Sequence, residues 1–258
     1  MRYLNDVSYK DCVGKVCKSK SSGDFKILKY NGSKDVEIQF INTGFETVAQ
    51  LGHIRSGEVK SPYSPSVYSI GIVGTKYPST INDVLTKEYD LWHNMLRRCY
   101  SDKYQKKQPT YEGCEVGDKF KSYEYFYEWC NKQVGFNNKD WQLDKDLLIK
   151  GNKVYSENTC VFLPRLVNQA LTTQKHKKSG LPSGVYRRPL VKTNIYQSTL
   201  TRYGVLHILC KSDSIEECFL VYKREKESYL KELAEMFKDN IDVRVYNALI
   251  DYKVNKGI

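Results

Sequence analysis

The C-terminal part of the chain contains three short strand-forming segments followed by one long amphipathic segment, and this order constrains the fold strongly. The strand segments run from Gly184 to Arg188, from Ile195 to Thr201 and from Val205 to Cys210. A helix is predicted from Ser214 to Phe237, because Ser214 is a favoured N-cap residue and apolar residues recur at helical spacing after it. The apolar side of that helix can cover one face of a three-stranded sheet.

The N-terminal segment is predicted to be a small β module. Phe25 to Tyr30 and Val36 to Phe40 alternate in part between apolar and polar residues, and Asn31 and Gly32 between them are typical of a hairpin turn. Several Gly and Pro residues then follow as far as Gly74, and they favour short strands over a helix.

The central segment is predicted to be helical, with a short strand-turn-strand-helix unit at its end. Apolar residues recur at helical spacing from Val84 to Tyr100 and again from Ser122 to Val134. Strands are expected from Leu143 to Leu148 and from Thr159 to Leu163, and a helix begins at Pro164. The aromatic residues of the second helix are expected to lie in a core.

The fold class predicted from these patterns is α+β. Residues 1–75 form the β module, residues 76–172 the helical region with its ββα unit, and residues 173–239 a basic connector with a three-stranded antiparallel sheet packed by one helix. Residues 240–258 are expected to be a peripheral strand or tail.

The charge is concentrated in one window of the chain. Residues 158–212 contain nine Lys and Arg residues and no Asp or Glu, and they supply +9 of the net charge of +11. A solvated surface normally mixes its signs, so the window favours a surface that faces a polyanion, with nucleic acid ahead of a membrane. The alternative is a basic linker that only aids solubility.

Several classes of protein are disfavoured by the sequence. No run of about 18 apolar residues is present, and the N-terminus has no apolar signal region, so a soluble protein in a cytoplasm is expected, without a membrane partner. The eight cysteines form no C-x2-C pair, which disfavours a zinc module. They are expected to be reduced thiols, several of them in a core.

The segment from Gly184 to Phe237 resembles the Apetala-type DNA-binding domain, which also occurs in phage and bacterial HNH homing endonucleases. The resemblance is carried by Gly184 to Arg188, by Tyr196 to Leu200, by Leu209 and by Ser214 to Cys218. Further matching positions on the helix are Tyr222, Ala234 and Phe237. The family has one helix on a three-stranded sheet, and the open face of that sheet enters the major groove of double-stranded DNA.

The resemblance implies a set of DNA-contacting residues. Arg187, Gln197, Thr199, Thr201 and Arg202 are expected on the open face of the sheet, where Arg and Gln suit bidentate base contacts and Thr suits a thymine methyl group. The remaining basic residues of the connector and sheet are expected to bind nucleic acid as well, namely Lys175, Lys177, Lys178, Arg188 and Lys192.

The segment from Leu143 to Leu171 resembles the HNH, or ββα-metal, motif of the same endonucleases. Asp144 takes the position of the opening Asp, and Lys145 takes that of the His that follows it. Gly151 and Asn152 form the turn, Phe162 is the strand aromatic, and Asn168 is the helical Asn, at the family's six-residue offset from Phe162. The preceding helical region looks like the leader common in phage HNH-type proteins.

This second resemblance implies metal-dependent hydrolysis of DNA phosphodiesters in the cytoplasm of a phage-infected host. Asp144 and Asn168 would hold one Mg²⁺ or Mn²⁺, and Asp146 would position or deprotonate water. Lys145 cannot act as a neutral base at its ordinary pKa of about 10.4, and it is expected to contact the scissile phosphate.

Other interpretations of the same residues stay open. Asp144 and Asp146 can flank a strand, and Asn168 can cap a neighbouring turn, without any catalytic role. A sequence-specific DNA-binding regulator that retains an endonuclease architecture is the main alternative to an enzyme. An RNA-binding or protein-interaction factor is a third possibility, although no RNA-recognition aromatic pair accompanies the basic window.

Overall fold

The computed structural model describes residues 11–172, 180–189 and 191–256. The chain is a mixed α+β protein, as the sequence predicts, with helices and small antiparallel sheets. Its contacts divide it into two compact units, and the division falls between Glu128 and Trp129.

A four-stranded antiparallel sheet begins the first unit. Its strands follow the order β1-β2-β3-β4 and are Val16–Ser19 (β1), Gly23–Gly32 (β2), Asp35–Phe40 (β3) and Glu46–Ala49 (β4). Alternate residues of β2 and β3 are buried, among them Phe25, Ile27 and Ile38, so that one face of the sheet forms a core. The predicted hairpin between β2 and β3 is confirmed.

A short helix follows this sheet, where the sequence favoured strands. Helix α1 covers Leu51–Ser56, and Leu51 and Ile54 are buried in the same core as β2 and β3. The helix ends at Gly57, whose φ of 69° lies in the left-handed region that glycine adopts without strain. Two apolar residues three positions apart are enough to hold one helical turn against the sheet, although they are too few for a sequence pattern.

Helices and short strands follow as far as the division between the units, which falls within the last of these helices. They are Thr80–Ile81 (β5), Val84–Leu85 (β6), Lys87–Tyr100 (α2), Asp102–Lys107 (α3), Glu115–Val116 (β7) and Tyr123–Asn131 (α4). The side chain of Thr86 caps α2 by accepting a hydrogen bond from the Tyr89 amide. Trp92 of α2 is fully buried and its indole N–H donates to the Phe120 carbonyl at 2.8 Å. As predicted, the aromatic residues Tyr123 and Phe126 of α4 are core residues.

The second unit begins with a strand-loop-strand-helix arrangement. Its elements are Gln142–Asp144 (β8), Val154–Tyr155 (β9), Val161–Leu163 (β10) and Arg165–Leu171 (α5). Strands β8 and β10 are antiparallel, and Asp144 lies opposite Val161. The predicted strands and helix are present, although β8 is shorter than expected, because the chain turns immediately after Asp144.

The predicted three-stranded sheet and its helix follow. The sheet has the order β11-β12-β13 with Val185–Arg187 (β11), Tyr196–Arg202 (β12) and Val205–Ser212 (β13), and the helix is Ile215–Phe237 (α6). Ser214 caps α6 by accepting a hydrogen bond from the Glu217 amide at 3.2 Å, as predicted. Helix α6 packs on all three strands.

The C-terminal segment contains a helix, so the expectation of a strand or tail is wrong. Helix α7 covers Val243–Ile250 and is capped by Asp242, whose carboxylate accepts from the Arg244 amide at 2.8 Å. Val245 and Leu249, one helical turn apart, are fully buried in a core that also contains residues of α6. The packing of this apolar pair on α6 decides the local structure.

One hydrophobic core extends through the second unit. It contains Val161 and Val167 from the ββα arrangement together with Leu200 of β12 and Leu230 of α6. The ββα arrangement and the sheet with its helix are therefore packed together and are not separated by the connector between them.

Candidate functional site

The three-stranded sheet has one face against α6 and one open face. On β12, Ser198 and Leu200 are buried on the side of α6. Successive side chains of a strand point to opposite faces, so Gln197, Thr199 and Thr201 lie on the other side. The sequence prediction for these three residues agrees with their placement.

The neighbouring strands add further residues to this face. Strand register places Tyr186 and Lys211 beside Gln197, Ile208 beside Thr199, and Leu206 beside Thr201, and cross-strand neighbours share a face. The open face is therefore formed by Tyr186, Gln197, Thr199, Thr201, Leu206, Ile208 and Lys211. Alternation along the sequence does not identify the residues of β13 on this face by itself. The bulge at Leu209 shifts the register of β13, so that Lys211 and Ile208 lie on the same face although they are three residues apart.

Arg187 does not lie on the open face, and that expectation is wrong. It follows Val185 by two residues on β11, and Val185 is buried in the core beneath α6. Its cross-strand partner is Tyr196, which packs against the same core. Arg187 is exposed because it lies at the end of the strand, on the side of the sheet that carries α6.

Arg202 also lies on the side of α6, contrary to expectation. Its guanidinium group stands 5.0 Å from the ring centre of Tyr229 and forms an ion pair with Glu232, and both partners belong to α6. The side chain is 28% exposed. Arg202 thus attaches the end of β12 to the helix.

The other predicted nucleic-acid ligands lie around the turn between β11 and β12 or outside the described residues. Arg188 donates from its guanidinium to the Asn194 carbonyl at 2.9 Å, which supports the turn. Lys192 is exposed in the same turn. Lys175, Lys177 and Lys178 lie outside the described residues.

The two layers of this module differ in charge. Strands β11, β12 and β13 contain three basic residues and no Asp or Glu, whereas α6 contains six Glu residues against four Lys and Arg. Asp213, the first acid after β13, accepts a hydrogen bond from the Ile195 amide at 3.0 Å and so closes the end of the sheet. An anion that approaches the open face therefore meets no carboxylate among the strand residues.

Asp144, the first predicted metal ligand, stabilises the turn that ends β8. Its Oδ1 atom accepts hydrogen bonds from the amides of Asp146 and Leu147 at 2.9 and 2.8 Å. Burial raises the pKa of the Asp144 carboxyl above its ordinary value, while these two amides act in the opposite direction. Among the described residues, its Oδ2 atom receives no hydrogen bond.

Lys145, which was expected to contact a phosphate, is a buried support of the loop after β8. The residue is 6% exposed, and its amine donates to Asp146 Oδ1 at 2.5 Å and to the Asn152 carbonyl at 3.0 Å. The amine also lies 5.5 Å from the ring centre of Tyr155. These contacts hold the two sides of the loop together.

Asn152 completes this loop, which the sequence suggested only as a turn. Its side-chain amide donates to the carbonyls of Lys145 and Val154, both at 2.7 Å, and its Oδ1 atom accepts from the Val154 amide at 3.1 Å. Lys145 and Asn152 thus bond to each other in both directions. Asp146 beside them keeps 60% of its side-chain surface exposed, so one carboxylate of the loop faces solvent.

Asn168, the second predicted metal ligand, reaches the same strand as Asp144. Its Nδ2 atom donates to Gln142 Oε1 at 2.5 Å, and Gln142 and Asp144 share one face of β8 by alternation. The Asn168 Oδ1 atom accepts no hydrogen bond from the described residues. Asp144 and Asn168 therefore each keep one side-chain oxygen that receives no hydrogen bond from the described residues, and oxygens of these types are the ligands that Mg²⁺ prefers.

The described residues provide no larger metal centre. Within residues 11–172, 180–189 and 191–256, no three His, Cys, Asp or Glu side chains are grouped so that they could hold a metal ion. In the same part of the chain, no helix is long and apolar enough to cross a membrane.

The comparisons with known proteins return no relative. The sequence matches no protein-family model, and neither curated proteins nor solved structures give a significant match.

Proposed function

We propose that this protein binds double-stranded DNA through the open face of the β11-β12-β13 sheet. The observation that carries the proposal is the charge difference between the two layers, because the strands contain three basic residues and no acid, whereas α6 contains six Glu against four Lys and Arg. A polyanion is attracted more strongly to the layer without carboxylates. The resemblance of this segment to the Apetala-type domain supports the same partner.

Duplex DNA suits the shape of this surface. The major groove of B-DNA admits a narrow β-ribbon, and β-sheet proteins that read DNA place strands in a groove. Lys211 on the open face and Lys192 in the adjoining turn are exposed, and flexible lysines at such positions suit phosphate contacts. The cytoplasm of a phage-infected cell is the proposed location of this activity.

The test is a titration of short labelled duplexes with the full chain over a range of salt concentrations. If about six of the nine cations in residues 158–212 contact phosphates, log K falls against log salt with a slope near −5. Lys211→Ala is expected to reduce the slope by about one, whereas Lys231→Ala on the exposed side of α6 leaves it unchanged. A slope near zero, or equal effects of the two variants, contradicts the proposal.

A second candidate function is metal-dependent hydrolysis of DNA at the ββα unit. It is favoured by the open side-chain oxygens of Asp144 and Asn168, since Asp144 lies on β8 and Asn168 donates to Gln142 of the same strand. These residues would hold one Mg²⁺ or Mn²⁺, which would neutralise charge on the phosphate and on the leaving oxygen. Asp146, whose amide donates to Asp144, is exposed and would orient the attacking water.

The buried position of Lys145 limits this second function. Homing endonucleases of the HNH kind have a His at this position, whereas the Lys145 amine is held by Asp146 and Asn152. Without an imidazole base, cleavage is expected to be slower by about 10²- to 10⁴-fold. Incubation of supercoiled plasmid with Mg²⁺, Mn²⁺ or EDTA separates the two functions, because a regulator retards the plasmid without nicking it.

A further inference from the structure

We propose that the open face selects A·T base pairs. This inference rests on the proposed DNA binding and names the sequence class that is bound. The arginines expected to read guanine, Arg187 and Arg202, belong to the side of the sheet that carries α6. The groups left to contact bases are hydroxyl, amide, phenol and aliphatic groups, together with the amine of Lys211.

The centre of the open face is apolar and methyl-rich. Thr199 lies beside Ile208, and Thr201 lies beside Leu206, so four side chains with methyl groups form two adjacent pairs. Leu206 and Ile208 are 65% and 56% exposed. In the major groove only thymine presents a methyl group, so the aliphatic groups of these pairs are complementary to thymine.

One end of the open face is polar and adds a second preference. Gln197 lies opposite Lys211, near the beginning of β12. A glutamine amide can donate to adenine N7 and accept from adenine N6 at the same time. Lys211 is a point charge on a flexible stem close to the end of β13, and we assign it to a phosphate.

A cavity of about 490 Å³ adjoins the open face. Tyr186, Thr199, Thr201 and Leu206 line it together with Leu200, Tyr222 and Lys226 from the side of α6, so it borders both faces of the sheet. The open face itself is exposed, methyl-lined and without carboxylates among its strand residues, and such a surface is expected to be covered by a partner that is apolar at its centre and anionic at its rim. The thymine methyl groups of a major groove, bordered by phosphates, have this arrangement.

The experiment begins with selection of bound duplexes from a random-sequence pool by the full chain. The expected consensus has a core of A·T pairs. The selected duplex is then made with deoxyuridine in place of one thymidine at a time, which removes only the methyl group. Affinity is expected to fall about fourfold for each methyl that the protein contacts.

Variants assign the effect to the open face. Gln197→Ala is expected to weaken the selected duplex by roughly 5- to 150-fold relative to random duplex. Leu206→Ala should abolish the sensitivity to deoxyuridine at one position, while Leu220→Ala, an equally small change at an exposed position of α6, leaves it intact. Circular dichroism of each variant shows that the fold is kept.

The outcomes distinguish the inference from the function on which it rests. Salt-dependent binding with a guanine-rich consensus, or with no sensitivity to deoxyuridine at any position, overturns the A·T reading and leaves DNA binding in place. Loss of a homodimer in Leu206→Ala, without a change in base preference, would assign the apolar surface to a second copy and also overturns the reading. No binding to any duplex overturns both proposals.

Discussion

The amine of Lys226 on α6 donates a hydrogen bond to the main-chain carbonyl of Ala170, near the end of α5. Helix α5 has no basic residue in its own last turn, so Lys226 supplies the positive charge that stabilises the C-terminal carbonyls of a helix. Lys226 is only 3% exposed. This contact attaches the ββα unit to the helix of the DNA-binding module, alongside the hydrophobic core that they share.

The burial of Lys226 predicts a dependence of stability on pH. Desolvation lowers the pKa of its amine from 10.5 to about 8. Between these two values the unfolded state binds more protons than the folded state, so this group raises the free energy of unfolding as the pH increases. From about pH 7 to about pH 10 the gain is about 2 to 3 kcal/mol.

Lys226→Met isolates this contribution, because methionine keeps most of the side-chain volume and does not titrate. Urea unfolding of both proteins at the two pH values should show the wild type gaining about 2 to 3 kcal/mol relative to Lys226→Met. Titration of tyrosines at high pH affects both proteins and cancels in the difference. A difference that does not change with pH would mean that the amine is solvated in the folded protein.

The loop after β8 is predicted to depend on Asn152. Asn152→Ala removes its bonds to the main chain of Lys145 and Val154 and should lower the free energy of unfolding by about 1 to 3 kcal/mol. Lys150→Ala, at an exposed position of the same loop, should change it by less than about 0.5 kcal/mol. Equal denaturation midpoints for the two variants would show that the loop does not require the Asn152 bonds.

The placement of Arg202 predicts that this residue contributes to the stability of the fold and not to the selection of DNA bases. Arg202→Ala removes the contacts with Tyr229 and Glu232 and should destabilise the protein by about 1 kcal/mol, while the preference among duplex sequences is retained. Gln197→Ala should have the opposite pattern, because Gln197 faces away from α6. The measurements are thermal unfolding and binding to selected and random duplexes. A loss of sequence preference in Arg202→Ala would show that Arg202 contacts DNA.

The elements of the C-terminal module could be predicted because several local signals coincide there. Ser214 caps α6, and the strands before it end where turn residues occur. Helix α7 could not be predicted in this way, because its valines and tyrosine favour a strand when they are considered alone. Its structure is decided by Val245 and Leu249, which pack in a core formed by residues distant in sequence.

The sequence predicts which strand or loop contains each candidate site residue, but it does not predict for every residue which face of the sheet the side chain lies on or what it contacts. The alternation that places Gln197 on the open face also places Arg187 with Val185, and this could have been counted from the sequence once Val185 was assigned to the core. The role of Lys145 could not be predicted from the sequence, because lysine is seldom buried. Its partners Asp146 and Asn152 are brought together only by the folded loop. The resemblance to a known motif predicts a catalytic position at Lys145, and the structure adds that its amine bonds to Asp146 and Asn152 within the loop.

The last prediction concerns Asp144 and distinguishes its effect on stability from its effect on DNA cleavage. In Asp144→Asn the amide oxygen can still accept the two hydrogen bonds from Asp146 and Leu147, but the negative charge is removed. Because burial raises the pKa of Asp144 in the folded state, the wild type loses stability relative to Asp144→Asn as the pH rises through that pKa. At neutral pH the variant should therefore be at least as stable as the wild type.

The same substitution should abolish any metal-dependent nicking of supercoiled DNA without weakening DNA binding, because it removes the charge that holds a divalent cation. Asn168→Ala should have the same effect on nicking, and Lys145→His should accelerate it if the imidazole reaches the water near Asp146. Nicking by Asp144→Asn at the wild-type rate would place the chemistry elsewhere. If neither the wild type nor Lys145→His cuts DNA with Mg²⁺ or Mn²⁺, the oxygens of Asp144 and Asn168 hold no catalytic cation. The ββα unit is then a structural support, and the protein only binds DNA, through the sheet.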